Sequence, residues 1–375
     1  MKKVFRGGRV LRQGKIEPAD LWVYEEKIST PQLHADQIVD VQGLILAPGY
    51  IDLQINGGFG VDFSTTPERV LEVAQKLPRY GVTAFLPTVI SSSSDCYPGL
   101  LNHLRAAMRQ QGKKSATALG IHLEGPFFNP SHSGAHDPQC LQRCERGIAA
   151  TYGSLEDVKM ITLAPELEGA LNLITALHAQ GILVSAGHSS ANTIQLDEAI
   201  VAGLGCATHL YNAMPPFHHR DPGLVGAVLT HPSLPFTLIA DSVHVHPLAI
   251  QIAWRCRPEG VILISDAISA LGATAARLGT LEIEVIDSKA VIRGTNTLAG
   301  STHALDSCVR FFWESTGCSQ AAALEAASLK PAKLLGLAPR KGTLEQGADA
   351  DILVLDDRLH VRGCYINGQE VIQIK

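Results

Sequence analysis

Four apolar runs in this chain end in side chains able to do chemistry. Glu124 closes Gly120-Ile121-His122-Leu123-Glu124, and His188 closes Ile182-Leu183-Val184-Ser185-Ala186-Gly187-His188. His209 lies in Cys206-Ala207-Thr208-His209-Leu210, and Asp266 closes Val261-Ile262-Leu263-Ile264-Ser265-Asp266. A bare carboxylate at the end of a buried strand is costly without a metal or cation as partner. One oxygen and two nitrogens from Glu124, His188 and His209 form a ligand set for zinc or a related divalent ion. Three protein ligands leave a position open for water, as catalytic sites do. Such water is a far better nucleophile near neutral pH. Asp266, at the same mouth, can accept the water's proton and return it to a leaving group; a fourth metal ligand and an N-cap for the following turn are the alternatives. One such residue alone is more often a hydrogen-bonded histidine or an ion-paired glutamate, but three at successive strand ends point to a metal.

Residues so distant in sequence meet only if their strands share one mouth. Apolar runs at 50–55, 82–89, 116–124, 158–164, 182–188, 206–210, 236–241 and 261–266 are continuous, the pattern of strands buried on both faces. Helical periodicity separates most of them. Residues 67–80 place Val70, Leu71, Ala74 and Leu77 on one face, and 97–110 do the same with Leu100, Leu101, Leu104 and Met108. Segments 168–180, 192–202 and 319–335 continue the series. Eight strand-plus-helix units predict a parallel (β/α)8 barrel, in which the carboxyl ends of all strands converge on the active face. Segment 271–300 interrupts the rhythm, and its alternating 281–285 and 291–293 predict an inserted hairpin beside that face. Residues 1–48 and 341–375 carry short strand-like pieces between Gly, Pro and charged turns, with Asn367-Gly368 a strong hairpin signal. They predict one small β domain formed by both termini around a catalytic domain at 49–340.

With 375 residues, 46% of them hydrophobic, the chain can bury a large core. No apolar stretch approaches a membrane span, and Met1-Lys2-Lys3-Val4-Phe5-Arg6 lacks the apolar core of a signal peptide. A net charge of −5, mixed along the chain, argues against nucleic acid or an anionic membrane as partner. Eight cysteines, none in a Cys-x-x-Cys pair, are expected as small core hydrophobes in a reducing compartment. The expectation is a soluble, cytoplasmic protein with a small-molecule substrate.

His122-Leu123-Glu124-Gly125-Pro126, Ala186-Gly187-His188-Ser189, Thr208-His209-Leu210-Tyr211-Asn212-Ala213-Met214 and Ser265-Asp266-Ala267 resemble the signatures of the N-acetylglucosamine-6-phosphate deacetylase family, in the amidohydrolase superfamily. The resemblance runs from Pro48-Gly49-Tyr50-Ile51-Asp52 to Lys341-Gly342-Thr343-Leu344-Glu345-Gln346-Gly347-Ala348-Asp349-Ala350-Asp351. It implies a distorted (β/α)8 TIM barrel of the metal-dependent amidohydrolase type plus a small β-sandwich domain. The implied reaction is hydrolysis of the acetamide of N-acetylglucosamine 6-phosphate to glucosamine 6-phosphate and acetate, in amino-sugar catabolism. It also implies a homodimer with shared substrate contacts. Many amidohydrolases hold a second metal with His-x-His at the end of the first strand, where this chain has Gln54-Ile55-Asn56. Neutral amides are poor ligands beside imidazole, so one divalent ion per chain is expected: zinc first, with iron, cobalt or manganese as alternatives. The two amides alternatively hydrogen-bond within the mouth or hold water there.

The same resemblance assigns further roles. His136 reaches the sugar and the carbonyl oxygen, as a cation or donor able to stabilise developing charge. Arg220 binds the phosphate through its planar fork, against a surface salt bridge with Asp221. Asn212 and Ala213 offer donors to the same phosphate. His244 contacts sugar or phosphate, in Asp241-Ser242-Val243-His244-Val245, where the family has Gly in place of Ser242. Leu298, Ala299 and Gly300 close over the acetyl group through backbone contacts. His132, His218 and His219 are left without a role. The rival substrate is N-acetylgalactosamine 6-phosphate. A non-catalytic amino-sugar-phosphate sensor is a further alternative, expected to have lost one of Glu124, His188, His209 and Asp266; all four are present.

Overall fold

The computed structural model describes residues 1–273 and 276–374, so Thr274 and Ala275 of the expected insert and Lys375 of the C-terminal segment lie outside the described residues. Eight strands carry the barrel: β1 Tyr50–Ile55, β2 Val82–Ile90, β3 Ile121–Glu124, β4 Val158–Leu163, β5 Leu183–Ala186, β6 Leu204–Ala207, β7 Phe236–Ile239 and β8 Val261–Ile264. Each pairs in parallel with the next. Every residue of β1 and β2 is buried, as strands covered on both faces require, including the polar Asp52, Gln54, Thr83 and Thr88. The ring is joined from β8 back to β1 at the mouth. There Ile55 bridges Ala267 in parallel, and the Asp266 N–H donates to the Gln54 carbonyl at 3.0 Å. The seam between first and last strands is therefore fastened beside Asp266.

Several elements depart from the sequence expectations, for local reasons. The run at 116–124 is two pieces, because Thr117–Ala118 pairs with β2 before the chain turns at Gly120, φ +152°. A Cβ on Gly120 would lie 2.2 Å from Lys159 Cγ. The expected helix at 67–80 is a 3-10 turn, a short helix Val70–Ala74 and a second 3-10 turn Leu77–Tyr80. Pro78 has no N–H for the Ala74 carbonyl, which accepts from Ala116 N–H at 2.9 Å instead. The expected helix at 319–335 divides into Gln320–Ala326 and Leu329–Leu334 in the same way. Pro331 frees the Ala327 carbonyl, and Ile51 N–H of β1 takes it at 2.8 Å. Each proline thus turns a helical carbonyl into an anchor for another segment. Helices at Gly223–Thr230, Pro247–Cys256 and Leu305–Thr316 were not among the sequence expectations.

Both termini build the small β-sandwich. One sheet orders Lys27–Ser29, Leu21–Tyr24, Lys2–Arg6 and Gln37–Asp40. The other orders Gln369–Ile372, Val361–Ile366, Ile352–Leu355, Ile45–Pro48, Arg9–Arg12 and Lys15–Pro18, interleaving the two ends of the chain. Phe5, Val10, Leu46, Ile352, Val354 and Tyr365 share its core. Asn367 and Gly368 turn the last hairpin with φ +50° and +72°, as Asn-Gly favours. Gly49 carries the chain from sandwich to barrel, where a Cβ would meet Thr83 Oγ1 at 2.0 Å. The insert is a three-stranded sheet, Ala276–Leu278, Leu281–Ile286 and Lys289–Ile292, one strand more than expected. All eight cysteines are free; Cys144, Cys206, Cys308 and Cys364 are buried as expected, whereas Cys96 and Cys256 are exposed. Among the described residues no helix is long and apolar enough to cross a membrane.

Candidate metal centre and active site

Glu124 is the last residue of β3, but the other three chemical residues lie just beyond their strands. The ladders stop at Ala186, Ala207 and Ile264, two residues before His188, His209 and Asp266. These three adopt φ values of +51°, +35° and +49°. For an L-residue the left-handed region costs roughly 1–2 kcal/mol, and such strain persists where neighbours over-determine it. Here each strained carbonyl is held by an N–H: His188 by Asn129 at 3.0 Å and Asp266 by Ser301 at 2.8 Å, both from other loops, and His209 by Asn212 of its own turn at 2.9 Å.

The turns bring three ligand atoms together. His209 Nε2 lies 3.1 Å from His188 Nε2 and 3.2 Å from Glu124 Oε1, and His188 Nε2 is 3.4 Å from the same oxygen. A circle through atoms at those separations has a radius of about 1.9 Å, close to the ~2.0–2.1 Å ligand distances of zinc. The His188 tautomer suits an ion too. Its Nδ1 lies 2.9 Å from the His132 carbonyl, which can only accept, so Nδ1 carries the hydrogen and Nε2 presents a bare lone pair to the centre. His188 also stacks on Phe128, centroids 4.1 Å apart. Burial opposes charge on Glu124, but the surrounding imidazoles of His188, His209 and His136 outweigh it and hold its carboxyl well below the usual range. The two histidines move oppositely. Burial lowers His188, whereas for His209 the hydrogen bond and charge of Glu124, with Asp266 behind them, overcome burial and raise it.

Asp266 is held by the two amides that stand in place of His-x-His. Asn56 Nδ2 donates to its Oδ1 at 2.8 Å, and Gln54 Nε2 donates to the same oxygen at 3.2 Å and to Glu124 Oε1 at 2.7 Å. The Gln54 amide thus places donor hydrogens between two carboxylates. Burial, and then the Glu124 charge, push Asp266 up to about 7. Asp52 supports the segment from behind, accepting from Ser265 Oγ at 2.5 Å and from Ser265 N–H at 3.2 Å.

A cavity of about 230 Å³ opens on these groups, lined also by His136, Asn212, Ala213, His244, Leu298 and Gly300. The insert contributes Leu278, and Thr297 and Ile239 were not anticipated. His136 Nδ1 accepts from Ser91 N–H at 3.2 Å, so its hydrogen sits on Nε2, 3.8 Å from Glu124 Oε2. Burial first, then His188, push its pKa down to about 3, so His136 is a neutral donor rather than a cation. His244 Nδ1 is 2.8 Å from Asp241 Oδ2, leaving Nε2 for other partners. The Asn212 amide bends back toward the carbonyls of His209 and Leu210 at 3.3 and 3.4 Å. Ala299 is buried behind the lining, its N–H bonded to the Ala290 carbonyl at 3.0 Å. Arg220 is exposed on the turn where His218 bridges Asp221, outside the cavity; among the described residues no ion pair joins it to Asp221. Gln54 and Asn56 thus follow the alternative of hydrogen bonding within the mouth, whereas the roles of Ser91 and of the His132 carbonyl were not anticipated.

Ser242 sits at φ +68°, a conformation that favours glycine. Its side chain is exposed, so Ser242→Gly is expected to stabilise the protein by about 1 kcal/mol, read as a rise in melting temperature. An unchanged or lower midpoint contradicts the strain argument.

A profile of the amidohydrolase family matches residues 45–371. The chain is 47% identical to the N-acetylglucosamine-6-phosphate deacetylase of Danio rerio, over 97% of this chain and 95% of that one. It is 36% identical to an N-acetylgalactosamine-6-phosphate deacetylase of Escherichia coli O157:H7, over 98% of this chain and 99% of that one. In structure it is similar to a mutant N-acetyl-D-glucosamine-6-phosphate deacetylase of Mycobacterium smegmatis in complex with N-acetyl-D-glucosamine 6-phosphate. That similarity has a TM-score of 0.88 at 30% identity, covering 100% of this chain and 99% of the other.

Proposed function

The chain belongs to the amidohydrolase family, among its N-acetylglucosamine-6-phosphate deacetylases, and from that premise we propose how its own residues carry out the reaction. The enzyme hydrolyses the acetamide of N-acetylglucosamine 6-phosphate to glucosamine 6-phosphate and acetate. The observation supporting the site assignment is the convergence of Glu124, His188 and His209 within 3.4 Å of one another, with Asp266 tied to Glu124 through Gln54. The galacto substrate is the weaker alternative, since the relative of that specificity is 36% rather than 47% identical.

In this mechanism the triad holds one divalent ion, zinc first, with iron, cobalt or manganese as alternatives. When bound, such an ion acidifies a water and polarises the acetyl carbonyl. Asp266 takes the proton of the attacking water and gives it to the amine nitrogen as the C–N bond breaks. His136 donates from Nε2 to the oxygen of the tetrahedral intermediate. His244 meets sugar or phosphate through Nε2, and Leu298 and Gly300 close over the acetyl group with Ala299 behind them. Asn212, Ala213 and Arg220 serve the phosphate. In a homodimer, Arg220, which lies outside its own chain's cavity, becomes available to the partner's. Residues 1–48 and 341–375 then act as one β domain beside a catalytic domain at 49–340, in a cytoplasmic enzyme.

Acetate release from N-acetylglucosamine 6-phosphate, its galacto epimer and the dephosphorylated sugar, before and after chelation, tests the whole. Release is expected fastest from the first substrate and only with metal present. No release from metal-loaded protein, or faster release from the epimer, overturns the proposal. His136→Gln is expected to lower kcat about 10²–10³-fold, the usual cost of one oxyanion donor. Steady-state assays showing less than a tenfold loss remove His136 from the mechanism.

A further inference from the structure

The loop that carries His188 is tied down by a residue outside the cavity. Glu166, three residues beyond β4, is half-buried and accepts four hydrogen bonds. They come from Ser189 Oγ at 2.6 Å, Ser190 N–H at 2.7 Å, Asn129 Nδ2 at 2.9 Å and Ser190 Oγ at 3.2 Å. Among the described residues no lysine, arginine or histidine pairs with it, so its charge is spent on these donors. An ionised carboxylate offers lone pairs for all four, and such charge-assisted bonds are roughly twice as strong as neutral ones. Glu166 thereby joins three segments: its own after β4, the His188 loop after β5, and the Asn129 loop after β3.

The third segment is the one that fixes His188. Asn129 N–H donates to the His188 carbonyl at 3.0 Å, and three residues on, the His132 carbonyl accepts from His188 Nδ1 at 2.9 Å. Asn129 is itself constrained, its Oδ1 accepting from Ser131 N–H at 3.0 Å. His188 needs such support, because φ +51° is strained for histidine and relaxation would swing its ring away from Glu124 and His209.

We propose that Glu166 is a positioning residue for the metal centre: it holds His188 in its left-handed conformation and the His132 carbonyl on Nδ1, keeping the Nε2 lone pair aimed at the ion. This role presupposes the divalent ion assigned to the triad.

The test uses the full chain as Glu166→Ala and Glu166→Gln, stripped of metal and reloaded with Zn2+ or Co2+. Chelator competition gives the dissociation constant, and visible absorption of the cobalt form reports ligand geometry. Glu166→Ala is expected to weaken zinc about 10–100-fold, the range for groups that orient a ligand, and to shift the cobalt bands. Glu166→Gln keeps an acceptor for Ser190 N–H and is expected to recover part of the affinity. If the alanine variant does not fold, the glutamine variant decides: weaker metal supports the role, unchanged metal removes it. Affinities within about twofold of the unsubstituted protein and identical cobalt spectra overturn it. An unsubstituted protein that takes up no metal sinks the ion assignment, and this role with it; normal uptake with unaltered variants sinks this role alone.

Discussion

Asp266→Asn is expected to lower kcat by about 10³–10⁴-fold, because one carboxylate serves as both base and acid and each transfer contributes on the order of 10²–10⁴. The substitution is nearly isosteric. Asn keeps an oxygen to accept from Asn56 at 2.8 Å and Gln54 at 3.2 Å, and it tolerates the φ of +49° better than most residues. The fold and the Glu124–His188–His209 cage should therefore survive, so bound metal stays near one equivalent while acetate release collapses. Retained turnover would falsify the proton-transfer role, and lost metal would reassign Asp266 as a ligand. The pH profile adds a second readout. A base must be ionised, so kcat/KM falls as pH drops through the Asp266 pKa. Burial and Glu124 set that pKa at about 7 in the ion-free site, and a bound cation favours the carboxylate, moving the acid limb below 7.

The four chemical residues were legible because each is a polar side chain closing an apolar run, a costly placement without a partner. The barrel followed from the continuity of those runs. What escaped was the last two residues of three strands. Nothing in Ala186-Gly187-His188 or Ile264-Ser265-Asp266 announces that a non-glycine residue will take a positive φ, because that conformation is imposed by N–H groups of distant loops. The His132 carbonyl has no side-chain signature at all. Gln54 and Asn56 were visible as replacements for histidine, but that their amides would bridge to Glu124 and Asp266 depends on β1 lying beside β8. Pro78 and Pro331 each mark a helical carbonyl, four residues back, that cannot be satisfied within its own helix. The helix Gly223–Thr230 is buried over Leu224, Val225, Gly226, Ala227, Val228 and Leu229, so it has no amphipathic period to detect. Arg220 was placed by resemblance alone, and one chain does not carry it to its own cavity.

His209→Ala is expected to abolish tight metal binding and to lower activity at least about 10⁴-fold, since the ion supplies both the nucleophile and several kcal/mol of charge stabilisation, and each 1.36 kcal/mol is tenfold. Chelation of the unsubstituted protein should give the same loss, reversed by zinc. The pH dependence of binding distinguishes this site from an adventitious one. Glu124 and Asp266 raise the His209 pKa above 6.5, so in acid the ion must displace a proton from Nε2. Apparent affinity should therefore fall by about tenfold per pH unit below that pKa, and flatten above it. A pH-independent affinity would show that His209 is not a ligand. Elemental analysis after dialysis should give one equivalent, because at the place of a second ion Gln54 directs N–H donors at both carboxylates, and donor hydrogens repel a cation. Two tightly held equivalents would require both amides to turn over, presenting oxygen where the present arrangement presents nitrogen.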